Sequence, residues 1–179
     1  MQAIQPIQPQ YASGDTNQFL ATLPPDALDV QFNLIMTLAH SHCALDSYLQ
    51  MRRAVMASTL GRRLTEQVSL AVAEAQQCEY GLAAHSLLAG KLGLTPEDIE
   101  HSREARSRDP RTRAALEFAR DLIQGDNPSL ARLRQAGYDD PALLELLALI
   151  SMNRFANDVA IVAQIAIDHP APELTANVA

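Results

Sequence analysis

A glutamate, a cysteine and a histidine lie within one alanine-rich stretch, and all three side chains could take part in catalysis. The stretch EQVSLAVAEAQQCEYGLAAHSLLAG contains Glu66, Cys78 and His85. An ionised thiol is a nucleophile, an imidazole exchanges protons near neutral pH, and a carboxylate can orient an imidazole. These residue types predict thiol chemistry or general acid–base chemistry, provided that the fold brings them together.

Helix geometry decides which of the three side chains can meet. On one helix, Cys78 and His85 share a face but are separated by about 10 Å along the axis. Glu66 would lie about 18 Å from Cys78 on the same unbroken helix, which is too far to assist it. A chain reversal near Gln77 would instead bring Glu66 level with His85. It would also place Cys78 at a helix N-terminus, where the helix dipole stabilises a thiolate.

Gly81 lies between Cys78 and His85 on the predicted helix and leaves a gap between thiol and imidazole. We expect a water molecule or a small substrate in that gap. The same residues also fit a helix without catalytic function, because cysteine is commonly a small buried hydrophobe and histidine commonly makes a structural hydrogen bond. Spacing alone leaves both interpretations open.

The composition predicts an all-α protein. Alanine and leucine dominate, the 179 residues include only 7 glycines and no tryptophan, and no stretch alternates with a period of two. We expect a compact bundle of about six to eight helices. The apolar segment 141–167 should form a long helix at its centre or in a subunit interface.

Capping signals divide the chain into these helices. Serine, threonine or aspartate followed by proline marks a helix start, and glycine marks a helix end. The predicted starts are Thr95-Pro96, with Asp98 completing a capping box, Asp109-Pro110 and Asp140-Pro141; the predicted ends are at Gly90, Gly93 and Gly137.

Composition also bounds the organisation and the partners of the chain. Residues 1–17 are rich in Gln and Pro and predict a flexible arm, followed by a single domain over 18–179. A formal charge of −7 argues against nucleic-acid binding. Polar residues interrupt the most apolar region, and no signal peptide is evident, so we expect a cytoplasmic protein without a membrane span.

The segment HSHC places His40, His42 and Cys43 close together, as in some metal sites. On a helix, however, the two histidines lie on different faces, about 200° apart. The sequence therefore predicts neither a metal site nor a cofactor.

The stretch from Glu66 to Ile99 is similar to the core of the alkylhydroperoxidase AhpD-like and carboxymuconolactone decarboxylase family. The family pattern is Glu, eleven residues, Cys, two residues, Cys, three residues and His, and Glu66, Cys78 and His85 take the matching positions. TLAHSHCALDSYL and the segment from LRQAGYDDPALL to QIAID also resemble the family's first and last helices. The resemblance covers most of the chain beyond residue 25, and it implies an AhpD-like helical bundle and a homo-oligomer.

Gly81 is the central departure from this pattern, because redox-active members carry their second cysteine at that position. In those members the two cysteines reduce peroxide as a dithiol, and the glutamate and histidine carry protons. Glycine at position 81 excludes a disulfide within the helix.

The leading prediction is a single-cysteine peroxidase of the peroxiredoxin type, with an antioxidant role. Cys78 would attack a hydroperoxide and become a sulfenic acid, while His85 and Glu66 manage the proton. Cys43, a cysteine of another subunit or an external thiol reductant would then resolve the sulfenic acid. Tyr80 and Gly81 are expected to line the pocket.

Two alternatives use the same fold differently. In a non-redox lyase resembling the decarboxylase branch, His85 acts as general acid or base on a lactone or keto acid, and Cys78 only lines the pocket. That branch more usually carries aromatic residues where this chain has GLAAH. In a binding module, the fold is kept without catalysis.

Overall fold

The structure is a computed structural model that describes residues 3–8, residue 16 and residues 31–168. These residues form eight helices and no strand, which confirms the all-α prediction at the upper end of the expected count. The helices are α1 (Phe32–Leu38), α2 (His42–Met56), α3 (Arg62–Ala75), α4 (Glu79–Lys91), α5 (Pro96–Arg103), α6 (Pro110–Gln124), α7 (Leu130–Gln135) and α8 (Asp140–Ala163).

Helices α3 and α8 form the centre of the bundle. α3 packs against α4, α5, α6 and α8, and α8 packs against α1, α2, α3, α4 and α6. Leu146, Leu149 and Ile150 of α8 are almost fully buried in the main core. The predicted long central helix is confirmed, although it ends at Ala163 because Gln164 adopts a left-handed conformation (φ +54°).

By length and composition, α8 is the one helix of the described residues that could cross a membrane. Half of its most apolar window is buried inside the bundle, and the core helix of a folded domain meets the same two criteria. Its apolar composition therefore follows from its central position in the core.

The reversal between α3 and α4 is confirmed, and it is made without glycine. Gln77 adopts a left-handed conformation (φ +56°), and Cys78 becomes the N-cap of α4. The backbone N–H groups of Gln77 and Cys78 donate to the carbonyls of Glu74 and Ala73, both at 2.9 Å, which is the Schellman pattern of a helix end. Backbone hydrogen bonding thus makes the turn that no Gly or Pro signals in the sequence.

Two of the predicted helix starts are confirmed by their hydrogen bonds. Thr95 Oγ1 accepts from the Asp98 backbone N–H and Asp98 Oδ2 accepts from the Thr95 N–H, both at 3.1 Å, and this completes the capping box of α5. Asp109 Oδ2 accepts from the Thr112 N–H at 2.8 Å and caps α6.

Two other boundary predictions need correction. Asp139 rather than Asp140 caps α8, because its carboxylate reaches the backbone N–H three residues further on. Gly90 lies inside α4 rather than at its end, because the helix continues for one more residue. Gly93 and Gly137 do follow helices and adopt positive φ values of 77° and 86°.

The segment 3–8 lies along one end of the bundle. The backbone N–H groups of Ala3 and Ile4 donate to the Ala163 carbonyl at the end of α8, and the N–H of Ile7 donates to the Met36 carbonyl of α1. The predicted boundary between an arm over 1–17 and a domain over 18–179 lies outside the described residues, so this division stays a prediction.

Candidate active site

Glu66 and His85 form a buried pair across the α3–α4 hairpin. Glu66 lies in the second turn of α3, His85 lies in the middle of α4, and their Oε2 and Nδ1 atoms are 2.8 Å apart. The two residues are only 2% and 7% exposed, respectively. A carboxylate accepts the hydrogen bond, so Nδ1 carries the proton and Nε2 keeps its lone pair or a second proton.

The pair lines a cavity of about 180 Å³. Met56, Leu88 and Met152 form apolar parts of its wall, and Ser69 also lines it. An engineered cavity of about 150 Å³ holds a benzene molecule, so this cavity has room for a small organic compound. The arrangement combines an oriented imidazole with space for a substrate.

Tyr48 also lines this cavity. It is 2% exposed, and its hydroxyl donates to Gln31 Oε1 at 3.0 Å. Burial raises the pKa of Tyr48 to about 12, although the nearby Arg52 guanidinium opposes that shift. The phenol therefore stays neutral at ordinary pH and acts as a hydrogen-bonding group.

Cationic side chains also surround the cavity. Arg52, Arg62 and Lys91 line it, and none of them forms an ion pair with any described residue. Many of the other arginines are paired with carboxylates, as Arg103 is with Glu74 at 2.7 Å. Three cations that form no ion pair with a described residue therefore line the cavity of a chain whose net charge is −7.

Sequence reasoning missed Tyr48 and the cations because they come from three different helices. A signal was available for two of them, since Arg62 is the first residue of α3 and Lys91 the last residue of α4. Because α3 and α4 run antiparallel, a hairpin that pairs Glu66 with His85 also brings the start of α3 next to the end of α4.

Cys78 lies at the N-terminus of α4 as predicted, but its surroundings favour the neutral thiol over the thiolate. Its Sγ accepts from the Gly81 backbone N–H at 3.4 Å and lies 4.0 Å from the Asn157 carbonyl. The residue is 2% exposed and belongs to the main core. Burial raises the pKa of the Cys78 thiol, and this outweighs the hydrogen bonds from Gly81 and Tyr80 that lower it. The prediction that the helix N-terminus stabilises a Cys78 thiolate is therefore wrong, because the net shift of the thiol pKa is upward.

The gap expected at Gly81 is filled by protein. A Cβ atom added to Gly81 would lie 2.5 Å from Asn157 Oδ1 and 3.1 Å from the Cβ of Ala73. Neither Gly81 nor Cys78 is among the residues that line the cavity of Glu66 and His85. The structure therefore joins the acid and the imidazole but leaves the thiol outside their cavity.

Tyr80, expected to line the pocket, also lies elsewhere. Its hydroxyl donates to Asp168 Oδ2 at 2.6 Å and accepts from the Leu34 backbone N–H at 3.2 Å. Burial and the Asp168 carboxylate raise the pKa of Tyr80, so it holds the segment after α8 against α1 as a neutral phenol. Its role in the structure is to connect these elements.

Cys43 is an exposed free thiol in the first turn of α2, whereas Cys78 is a buried free thiol. His40 Nε2 lies 2.9 Å from the Gln5 carbonyl. Among the described residues, no group of three or more His, Cys, Asp and Glu side chains could hold a metal ion.

The described residues thus form an all-α bundle with a buried Glu–His pair across a hairpin and a cysteine that caps the second helix of that hairpin. Residues 44–121 match the model of the carboxymuconolactone decarboxylase family, which confirms the resemblance seen in the sequence. Among curated proteins, none matches the sequence.

Solved structures confirm the AhpD-like fold. An uncharacterized peroxidase-related protein from Ralstonia eutropha JMP134, described as an alkylhydroperoxidase AhpD core, is 19% identical, with a TM-score of 0.74 over 96% of this chain and 94% of that one. A peroxidase-related protein from Silicibacter sp. TM1040 is 19% identical, with a TM-score of 0.73 over 88% and 87%. A variant of the debrominase Bmp8, in complex with 2,3,4-tribromopyrrole, is 18% identical, with a TM-score of 0.77 over 92% and 91%. The same fold therefore occurs in proteins with different described activities.

Proposed function

We propose that this protein is a non-redox enzyme in which His85 transfers a proton to or from a small molecule bound in the cavity. The observation that carries this proposal is the buried 2.8 Å contact between His85 Nδ1 and Glu66 Oε2 at the cavity wall, from which Cys78 is separated. The proposed reaction class is that of a lyase acting on a lactone or a keto acid.

In this mechanism His85 transfers the proton, and Glu66 orients and stabilises the imidazole. Glu66 accepts the hydrogen bond from Nδ1–H, so His85 Nε2 is available to remove a proton from the substrate. The imidazolium that forms is stabilised by the Glu66 carboxylate and returns the proton to the product. Proton transfer by a positioned side chain contributes a rate enhancement of about 10²–10⁴.

The cations favour a substrate with a carboxylate group. Arg52, Arg62 and Lys91 lack carboxylate partners of their own among the described residues, and guanidinium groups bind carboxylates through paired hydrogen bonds. An anion held by these groups would lie against the same cavity wall as His85. This supports a small lactone or keto acid that carries a negative charge.

The test uses a panel of small lactones and keto acids that includes a carboxymuconolactone, with turnover followed by loss of substrate. We expect His85→Gln to lower kcat by about 10²–10⁴-fold. The matched control is His101→Gln, because His101 lies on α5 and does not line the cavity. Equal turnover in both variants would overturn the proposal.

A thiol peroxidase is the second candidate, and two observations favour it. Cys78 lies at the N-terminus of α4 with a backbone N–H directed at its sulfur, and two structural neighbours are described as peroxidase-related. It ranks second because the thiol is buried and its pKa is raised. It would also need Cys43, another subunit or an external thiol to complete the cycle.

The peroxidase is tested separately with cumene hydroperoxide and dithiothreitol. Peroxide consumption that is lost in Cys78→Ser, together with a sulfenic acid on Cys78 found by mass spectrometry, would make it the primary function. A homo-oligomer in the cytoplasm fits either candidate and remains our expectation. If neither assay responds, the binding module becomes the better account.

A further inference from the structure

The side chain of Asn157 occupies the space that any residue larger than glycine would need at position 81. An added Cβ at Gly81 would lie 2.5 Å from Asn157 Oδ1 and 3.3 Å from its Cγ. Contacts of 2.5 Å are not tolerated between non-bonded heavy atoms, whereas the 3.1 Å approach to Ala73 requires only a small adjustment. Asn157 is therefore the main obstacle to a side chain at this position.

Hydrogen bonds hold the Asn157 amide in place. Its Nδ2 donates to Gln76 Oε1 at 3.0 Å, and Gln76 Nε2 donates in turn to Asp158 Oδ1 at 2.8 Å. Asn157 is 3% exposed, so a rotated amide would have to find new partners inside the core. The obstacle at Gly81 is thus a fixed feature of the interface between α4 and α8.

Position 81 matters because it is three residues after Cys78, the N-cap of α4. A second thiol at this spacing would form the Cys-X-X-Cys arrangement at a helix N-terminus, in which thiols have lowered pKa values and exchange with disulfides. Without it, Cys78 remains a single buried thiol.

We propose that Asn157 is a specificity-determining residue that excludes a second thiol beside Cys78 and so keeps this site out of dithiol redox chemistry. The proposal concerns the interface of α4 and α8 and is independent of catalysis at His85. It predicts that Gly81→Cys alone does not create a working dithiol, whereas Gly81→Cys combined with Asn157→Ala does.

The redox step in the double variant is balanced by the peroxide and the added reductant. One thiolate attacks the hydroperoxide, the O–O bond breaks, and an alcohol leaves, so that the attacking sulfur becomes a sulfenic acid. The second thiol displaces water from it and forms the disulfide. Two thiols and one hydroperoxide thus give a disulfide, an alcohol and water, and dithiothreitol restores the thiols.

The experiment compares three proteins in a Cys43→Ser background, so that Cys78 is the sole natural thiol. They carry Gly81→Cys alone, Gly81→Cys with Asn157→Ala, and Gly81→Cys with Asn153→Ala. Asn153 is the matched control because it is 2% exposed on the same helix, one turn earlier, and bonds to Ser69 instead of facing Gly81. Disulfide formation with cumene hydroperoxide is followed by intact mass, as the loss of two hydrogen atoms.

We expect the Asn157→Ala combination to close its disulfide about tenfold faster, or more, than the other two proteins, because only removal of the Asn157 amide relieves the overpacking at position 81. Equal rates in all three proteins would overturn the proposal, as would closure in Gly81→Cys alone at the rate of the Asn157→Ala combination. If the combined variants do not fold, urea unfolding of Gly81→Ala with and without Asn157→Ala decides it. A smaller loss of stability from Gly81→Ala in the Asn157→Ala background supports the proposal, and an equal loss in both backgrounds contradicts it.

Discussion

At the scale of single residues, the surroundings of His85 and Cys78 distinguish acid–base chemistry from thiol chemistry. Glu66 and His85 are buried together and face a cavity, whereas Cys78 is buried apart from it. The sequence alone predicted all three as site residues, because spacing shows which residues can approach each other but not what fills the space between them. The sulfur of Cys78 lies 4.0 Å from the backbone carbonyl of Asn157, a residue far along the chain.

The first prediction concerns the charge of Glu66. Glu66→Gln keeps an oxygen that can accept from Nδ1–H but removes the charge that stabilises the imidazolium, so we expect kcat on the substrate found by the panel to fall by about 10²–10⁴-fold with KM little changed. Steady-state kinetics of the variant measure this split. A change in KM alone would instead assign Glu66 to substrate binding.

A second prediction follows from the raised pKa of Cys78. The folded protein keeps the thiol proton at pH values where the unfolded chain, with a pKa of about 8.5, has lost it. This contribution to stability is therefore fully present below about pH 8.5 and is lost as the pH rises from there through the raised pKa of the folded protein, at up to about 1.4 kcal/mol per pH unit.

Urea unfolding between about pH 7.5 and about pH 9.5 measures this effect, since Tyr48 begins to ionise in the unfolded chain only near its ordinary pKa of about 10. The free energy of unfolding should decrease over this range in the unaltered protein and decrease less in Cys78→Ser. Parallel slopes in the two proteins would show that the thiol is not the group responsible.

At the scale of elements, the α3–α4 hairpin is what brings the acid to the imidazole. The position of the hairpin was predicted from the requirement that Glu66 and His85 meet. The helix caps at Thr95 and Asp109 were predicted from local residue types. The turn itself could not be seen as a glycine or proline signal, because Gln77 adopts the left-handed conformation and backbone hydrogen bonds support it.

A third prediction tests the strain in this turn. A left-handed conformation costs a non-glycine residue about 1–2 kcal/mol, and part of this is offset by the greater chain entropy of glycine. We therefore expect Gln77→Gly to raise the free energy of unfolding by about 0.5–1 kcal/mol in urea denaturation. Gln77→Ala keeps the strain and should give no such gain; a stabilised Gln77→Ala would show that strain is not the cause.

At the scale of the whole molecule, the charge around the cavity differs in sign from that of the chain. The net charge of the chain is −7, whereas three cations and one carboxylate line the cavity. The overall acidity was visible in the composition, but this local reversal of sign was not. It arises only when α2, α3 and α4 pack together, since Arg52, Arg62 and Lys91 are distant in sequence.

A fourth prediction uses neighbouring arginines on α2. Arg52 lines the cavity and Arg53 does not, so Arg52→Ala should raise KM for an anionic substrate by about tenfold while Arg53→Ala leaves it unchanged. Higher salt should reduce the difference, because partly exposed charges are screened. Equal KM values in the two variants would mean that the cations do not bind the substrate.

In the function that we propose, His85 and not Cys78 carries out the chemistry. The decisive measurement is kcat/KM of Cys78→Ser on the lactone or keto acid that the unaltered protein turns over. We expect a value within about threefold of the unaltered protein, because serine can accept the same cap hydrogen bond from Gly81 and proton transfer does not use the sulfur. A loss of about a hundredfold or more in a folded Cys78→Ser variant would contradict it.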